Sequence, residues 1–431
     1  MFIHTAGQLP WMLPNEWVNK MGGERCDGDC SSCAASEFDL VRKLGQEKAD
    51  EVFAEHWATW FTEKDVDTIA AAGLNTVRIP LGYWIIEDLV DRKTEFYPRG
   101  GLKYLKKGLR MLKQKGIHVL LDFHAMPGVA APQQMFAGRC TTDVQFYADK
   151  NYERALTWAA IMTNMTHQDP DFSTVFAIEA VNEPVMDASK TPGYGDYQKR
   201  FVKVVREVEN RLGIQCSGDD PITTIPNPTT TDPDDIVIKR VLEKSSSIMK
   251  NIVDRHGPHS CPPSSGIKFP ITFDEGEIGA IHQGHGAGRH HGYNANECLR
   301  GGRLHTFKTD CTSWIWLGGT QRPQAPPPPP RHLGHADQGC GPQLLDDCDW
   351  QYNNPPNPAD AANGPQLYDA HLYFAYGGVA DPNAESYMRA ICNTDRVKNA
   401  YDENNNPLVF GEWSLATNFG NSDEFLYDCE L

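Results

Sequence analysis

The chain has 431 residues, of which 40% are apolar, 23% charged and 10% aromatic; this is the profile of an ordinary globular protein and excludes a disordered, collagen-like or disulfide-miniature one. Forty Lys and Arg against 57 Asp and Glu leave a net charge of −17, which repels a phosphate backbone and an anionic membrane surface, so nucleic acid and membrane are not expected partners. Apolar runs such as HVLLDFHAM fall far short of the roughly 18 residues needed to cross a bilayer.

In chain order, the start MFIHTAGQLPWMLPNEW lacks the basic and unbroken apolar regions of a secretory signal, so no signal peptide is visible. The twelve cysteines point the other way, because disulfides persist in oxidising compartments. Cys26, Cys30 and Cys33 have a spacing that suits three zinc ligands or the halves of disulfides. No His or Cys follows at a matching second spacing, which favours the disulfide or a plain structural role.

From residue 62 a β/α rhythm sets in. TEKDVDTIAAAG opens with Thr62 as N-cap and Asp65 three residues later, and LNTVRIPL follows as a buried strand. Leu102, Leu105, Leu109 and Leu112 recur at helical spacing before Gly116, and IHVLLDFH reads as the next strand. Residues 149–165 read as a helix and TVFAIEAVNEP as a strand. Phe201, Val204, Val205, Val208 and Leu212 form a helical stripe ending at Gly213. Strands alternating with helices imply a parallel sheet.

The rhythm fails between about Cys216 and Asp349, a stretch with the run QAPPPPPRH and nine of the fifteen histidines, including His282, His285, His290 and His291. Such composition supplies no periodic apolar face, so irregular structure is expected apart from one helix in DDIVIKRVLEKSSSIMKNIVDRHG. The histidines sit on a glycine-rich frame with no carboxylate or cysteine in register and are read as incidental rather than as ligands. Order resumes with YDAHLYFAY as a strand, a short helix near AESYMRAIC, and PLVFGEW as a further buried strand. The organisation expected is a first part over 1–215, an irregular insert over 216–349 and a second part over 350–431.

Glu183 closes the strand VFAIEAVNEP and Glu412 closes PLVFGEW. In parallel α/β sheets, reactive groups gather at those ends. Two carboxylates placed there suit glycoside hydrolysis, in which a protonated group releases the leaving oxygen while an ionised one attacks the anomeric carbon.

The motifs GLNTVRIPLGYW, VLLDFHAMPG, EAVNEP, DAHLYF and VFGEW stand in the order found in glycoside hydrolase family 5, and the sequence most resembles its fungal exo-β-1,3-glucanase-type members, over roughly 9–215 and 350–425. The resemblance implies a TIM (β/α)8 barrel and a retaining enzyme that cleaves β-glucosidic bonds, β-1,3 above others, in a β-glucan oligosaccharide or polysaccharide. It implies Glu183 as acid/base, Glu412 as nucleophile and Asn182 as partner of the sugar 2-OH. Arg78 would keep Glu412 ionised, the competing role being an ion pair with Glu179, which shares a strand face with Glu183. His124, His371 and Tyr373 would line the sugar site, with the last two touching Glu412, and Trp84 and Trp413 would stack on pyranose faces. No metal and no organic cofactor is called for, a monomer is expected, and localisation by resemblance is extracellular or cell wall. The family's first strand is reduced to MFIHTAGQL and only eighteen residues follow Trp413, too few for an eighth strand, which reads as an incomplete or mis-spliced gene. The fifth strand has SWIWLGG as its single apolar candidate. Two other functions compete: an inactive carbohydrate-binding remnant, and a metal-binding protein built on the Cys and His clusters.

Overall fold

The computed structural model describes residues 36–185, 187–214, 231–256, 314–316, 366–372, 380–381, 383–393 and 408–413, together with Asp402. Among these, six strands make one parallel sheet in chain order: β1 (Thr76–Gly82), β2 (His118–Ala125), β3 (Val175–Glu179), β4 (Trp314–Trp316), β5 (Gln366–Leu372) and β6 (Leu408–Trp413). The described helices of eight residues or more are α1 (Glu37–Leu44), α2 (Gln46–Trp60), α3 (Glu63–Ala71), α4 (Gly101–Gln114), α5 (Asp149–Gln168), α6 (Tyr194–Arg211), α7 (Pro233–His256) and α8 (Ala384–Asn393). The expected parallel α/β architecture is therefore present in the described residues.

Local chemistry explains the punctuation. At the start of α3 the Asp65 carboxylate accepts from the Thr62 backbone N–H at 2.8 Å and its hydroxyl at 2.7 Å, satisfying a helix end as the spacing predicts. The Leu102, Leu105, Leu109 and Leu112 stripe of α4 is buried. Helices α1 and α2 were not among the predicted elements; they meet at Gly45, whose φ of 78° ends one and opens the other. SWIWLGG does yield a strand, β4, which joins β3 to β5.

Helix α7 forms where expected within 216–349, and Ile238, Val241, Leu242, Ile248 and Ile252 join the core built by the earlier helices. Its Arg240 pairs with Glu153 of α5, and Arg255 pairs with Asp88 at 2.5 Å. Burial of that apolar face, rather than the exposed ion pairs, provides most of the docking energy.

Strand period sorts the side chains between two faces. Phe123 of β2 stacks on Trp158 of α5 with centroids 3.9 Å apart, so that side faces the helices. The residues on either side of Phe123, Asp122 and His124, turn to the opposite face with Arg78 of β1 and Glu179 of β3. Among the described residues, no helix is long and apolar enough to cross a membrane. Cys140 is disulfide-bonded, while Cys392 is a free, exposed thiol.

Candidate active site

The polar face of β1–β3 carries a closed hydrogen-bonded ring. Arg78, 5% exposed, donates from Nη2 to Glu179 Oε2 at 2.9 Å and from Nε to the same oxygen at 3.2 Å. Its Nη1 lies 3.0 Å from Asp122 Oδ2, and Nη2 also donates to Asn182 Oδ1 at 2.8 Å. His124 Nδ1 sits 2.6 Å from Asp122 Oδ2, and Asn182 Nδ2 lies 3.4 Å from His124 Nε2. An amide nitrogen can only donate, so Nε2 must accept and the imidazole proton sits on Nδ1, facing Asp122. Asp122 is fully buried, which alone would raise its carboxyl. Arg78 and His124 outweigh that and hold it at about 2.

Two expectations meet their surroundings here, and one of them changes. The ion pair of Arg78 with Glu179 is present, and Arg78 is shared further with Asp122 and Asn182. His124 is 5% exposed and commits both ring nitrogens, to Asp122 and Asn182, so it orients Asn182 instead of offering a sugar a free N–H. Asp122 received no role from the sequence, although its alternation with His124 in LLDFHA was the readable signal.

Strand β3 ends at Glu179, and Glu183 stands four residues on, in the loop leaving the C-terminal edge. Its carboxylate is partly exposed and Oε1 lies 2.8 Å from His371 Nδ1 of β5. His371 therefore meets Glu183, where the sequence led us to expect Glu412. In the β5–β6 ladder the Cα partner of His371 is Glu412. One strand residue thus touches one glutamate and is paired through the backbone with the other. Tyr373 and the side chains of Glu412 and Trp413 lie outside the described residues, as do Cys26, Cys30, Cys33 and the histidines at 282–291. Among the described residues, no group of three or more His, Cys, Asp or Glu is arranged to hold a metal ion.

Trp84 is a correction. It is 2% exposed, stacks on Tyr97 at 4.0 Å between centroids, and donates from Nε1 to Glu37 at 3.2 Å. With one ring face on Tyr97 and the indole packed beside Gly82 and Gly138, where added Cβ atoms would collide with it, Trp84 is a core residue and not a sugar platform. Its partner Glu37 is buried in the first turn of α1, and burial, only partly countered by Trp84, raises the carboxyl to about 8. A folded value above the unfolded 4.5 means the proton binds the folded state more tightly. The contribution is full below about 4.5 and is lost as pH rises through 8. Glu37→Gln is therefore expected to leave urea-unfolding stability nearly unchanged at pH 4 and to raise it by roughly 2–4 kcal/mol at pH 9; an equal effect at both pH values would exclude a buried, protonated Glu37.

Comparison with known proteins decides the family. The model of "Cellulase (glycosyl hydrolase family 5)" matches residues 45–427. The chain belongs to glycosyl hydrolase family 5. It is 40% identical over 207 residues to glucan endo-1,6-beta-glucosidase B of Emericella nidulans, covering 48% of each chain. It is 32% identical over 213 residues to the probable glucan 1,3-beta-glucosidase A of Aspergillus fumigatus, covering 48% of this chain and 47% of that one. This family 5 chain thus spans about half the length of the curated relatives it matches. Among solved structures, rutinosidase from Aspergillus niger aligns over 98% of this chain and 84% of its own, with TM-score 0.48 and 16% identity.

Proposed function

We propose that this family 5 protein is a retaining glycoside hydrolase acting on the β-glucosidic bonds of β-glucans, with Glu183 as acid/base and Glu412 as nucleophile. The observation that carries the reading is the position of His371, which contacts the Glu183 carboxylate at 2.8 Å and is the ladder partner of Glu412. Retention requires two carboxyl groups about 5–5.5 Å apart; Glu183 beyond β3 and Glu412 on β6 stand three strands apart in the sheet, so in this reading they face each other across the mouth of a curled, barrel-like sheet. In the first step Glu183 gives its proton to the leaving oxygen while Glu412 attacks the anomeric carbon. In the second, Glu183 takes a proton from water as that water displaces Glu412. Asn182, fixed by Arg78 and His124, keeps one amide hydrogen for the sugar 2-OH. Tyr373 and Trp413 are retained as contacts to the sugar.

The sheet is proposed to close into a TIM barrel. Contacts that skip a strand, Arg78 to Glu179 across β2 and His371 to Glu183 across β4, are what the concave face of a curled sheet produces. In this reading 1–215 and 350–431 are two parts of one barrel interrupted by 216–349. The linkage expected from the sequence is β-1,3. The relative at 40% identity is named for endo-1,6 cleavage and the one at 32% for 1,3, which puts β-1,6-glucan first among substrates to test. The disulfide at Cys140 and the fungal glucanase relatives favour an extracellular enzyme.

The test is hydrolysis of linear β-1,6- and β-1,3-glucans with the anomer of the first product followed by proton NMR. A β-anomer appearing first on either glucan supports the reading, and an α-anomer rules out the two-step mechanism. Binding without turnover on both would leave a carbohydrate-binding remnant.

A further inference from the structure

Three non-glycine residues among the described ones have positive φ: Val129 at 67°, Gln133 at 54° and Glu183 at 37°. Left-handed backbone is costly for any side chain with a Cβ, and most of all for a β-branched one such as Val129. Glu183 is further restricted because Pro184 follows it, and a residue before proline is pushed towards extended backbone. Such conformations persist only where surrounding contacts over-determine them.

One hydroxyl joins the two loops that hold Val129 and Glu183. Tyr147, just before α5, is buried; its Oη donates to the Ala130 carbonyl at 2.8 Å and accepts from the Val185 backbone N–H at 2.7 Å. Ala130 follows Val129 in the loop leaving β2, and Val185 lies two residues beyond Glu183 in the loop leaving β3. On its other side Glu183 is held through Asn182, whose backbone N–H donates to Phe123 at 3.2 Å and whose side chain accepts from Arg78. The Tyr147 ring is itself fixed edge-on against Phe146 and Tyr194. Phe146 N–H to the Val129 carbonyl at 3.2 Å ties the same segment to the strained loop a second time.

We infer that Tyr147 is a positioning residue for the acid/base step, its hydroxyl stapling the β2 and β3 exit loops so that Glu183 stays in its left-handed conformation and aimed at the leaving oxygen. The inference rests on Glu183 being the acid/base. The Tyr147 hydroxyl is spent on Ala130 and Val185, and neither of these bonds reaches the Glu183 carboxylate. Its effect therefore concerns proton delivery and not substrate binding, and a displacement of about 1 Å in a general acid costs on the order of 100-fold.

The test compares Tyr147→Phe with Glu183→Gln and with Tyr152→Phe, which removes a hydroxyl from the same aromatic cluster but one bonded to Pro192, at 2.8 Å. Each is assayed on a glucan and on a dinitrophenyl β-glucoside, whose leaving group departs without protonation. Tyr147→Phe is expected to lower kcat on glucan by about 10- to 100-fold, with KM within about twofold, and to lower the glycosylation rate on the activated substrate by less than about threefold. It should also shift the basic limb of the pH profile, while Tyr152→Phe lowers Tm without splitting the two substrates. If Glu183→Gln splits the substrates and Tyr147→Phe does not, the staple is overturned. If Glu183→Gln itself fails to split them, the acid/base reading falls and the inference with it. Should Tyr147→Phe not fold, replacing the Pro184–Val185 amide by an ester removes the donor from the other end of the same hydrogen bond, and the same substrate split decides.

Discussion

Glu412→Gln is expected to abolish turnover of every β-glucoside, by at least about 10⁴-fold, whatever the leaving group, because no covalent intermediate can form without the attacking oxygen. Glu183→Gln behaves differently. Loss of a general acid costs about 10²–10⁴-fold on glucan, where the leaving alkoxide is poor, and far less on an aryl glucoside whose phenolate needs no proton. In that variant the second step still lacks its base, so added azide, a nucleophile needing no deprotonation, is expected to restore turnover as the glycosyl azide. Two glutamates of one residue type are thus separated by chemistry. Intact-mass measurement after a 2-fluoro-glucosyl fluoride supplies the direct readout: one sugar added to the wild type and to Glu183→Gln, none to Glu412→Gln, with the label in the peptide holding Glu412. A label elsewhere would move the nucleophile.

The two glutamates were legible as candidates because they ride on strand ends. EAVNEP and VFGEW each place a glutamate just beyond a short apolar run, and strand β6 does carry Glu412 beside its β5 partner, His371. What the sequence withheld is the direction of each side chain. The family resemblance paired His371 with Glu412, yet the imidazole crosses to Glu183. Trp84 follows a strand in the same motif as Arg78, but the 3₁₀ turn at Tyr83–Ile85 swings the indole inward onto Tyr97 and Glu37. Tyr147 was invisible for a related reason: its function lies in a hydroxyl bridging residues 17 positions before and 38 after it, with no local pattern to announce either contact. Period and punctuation report local structure well, whereas a polar network closed across β1, β2 and β3 is a property of register.

Removing the cation from that network has the largest expected effect on stability. Arg78 stands between Glu179 and Asp122, both 0% exposed, and Arg78→Met keeps most of the side-chain volume while leaving two buried carboxyl groups without their guanidinium. Breaking a buried pair from one side costs about 3–5 kcal/mol, more than the pair itself contributes, because the remaining charge has no solvent. The pH dependence identifies the cause. With Asp122 at about 2 in the folded protein and 3.8 unfolded, its stabilising contribution is present above 3.8 and is lost as pH falls towards 2. In Arg78→Met the burial that Arg78 had outweighed is left to raise Asp122, so that part of the acid-side loss should shrink or reverse and the variant should gain stability relative to wild type as pH drops from 7 to 4. Urea titrations at those two pH values measure it. The double variant Arg78→Met with Glu179→Gln should recover part of the loss at pH 7, since one of the stranded charges is gone. A deficit that is the same at both pH values, and unchanged in the double variant, would assign the cost to packing and not to uncompensated charge.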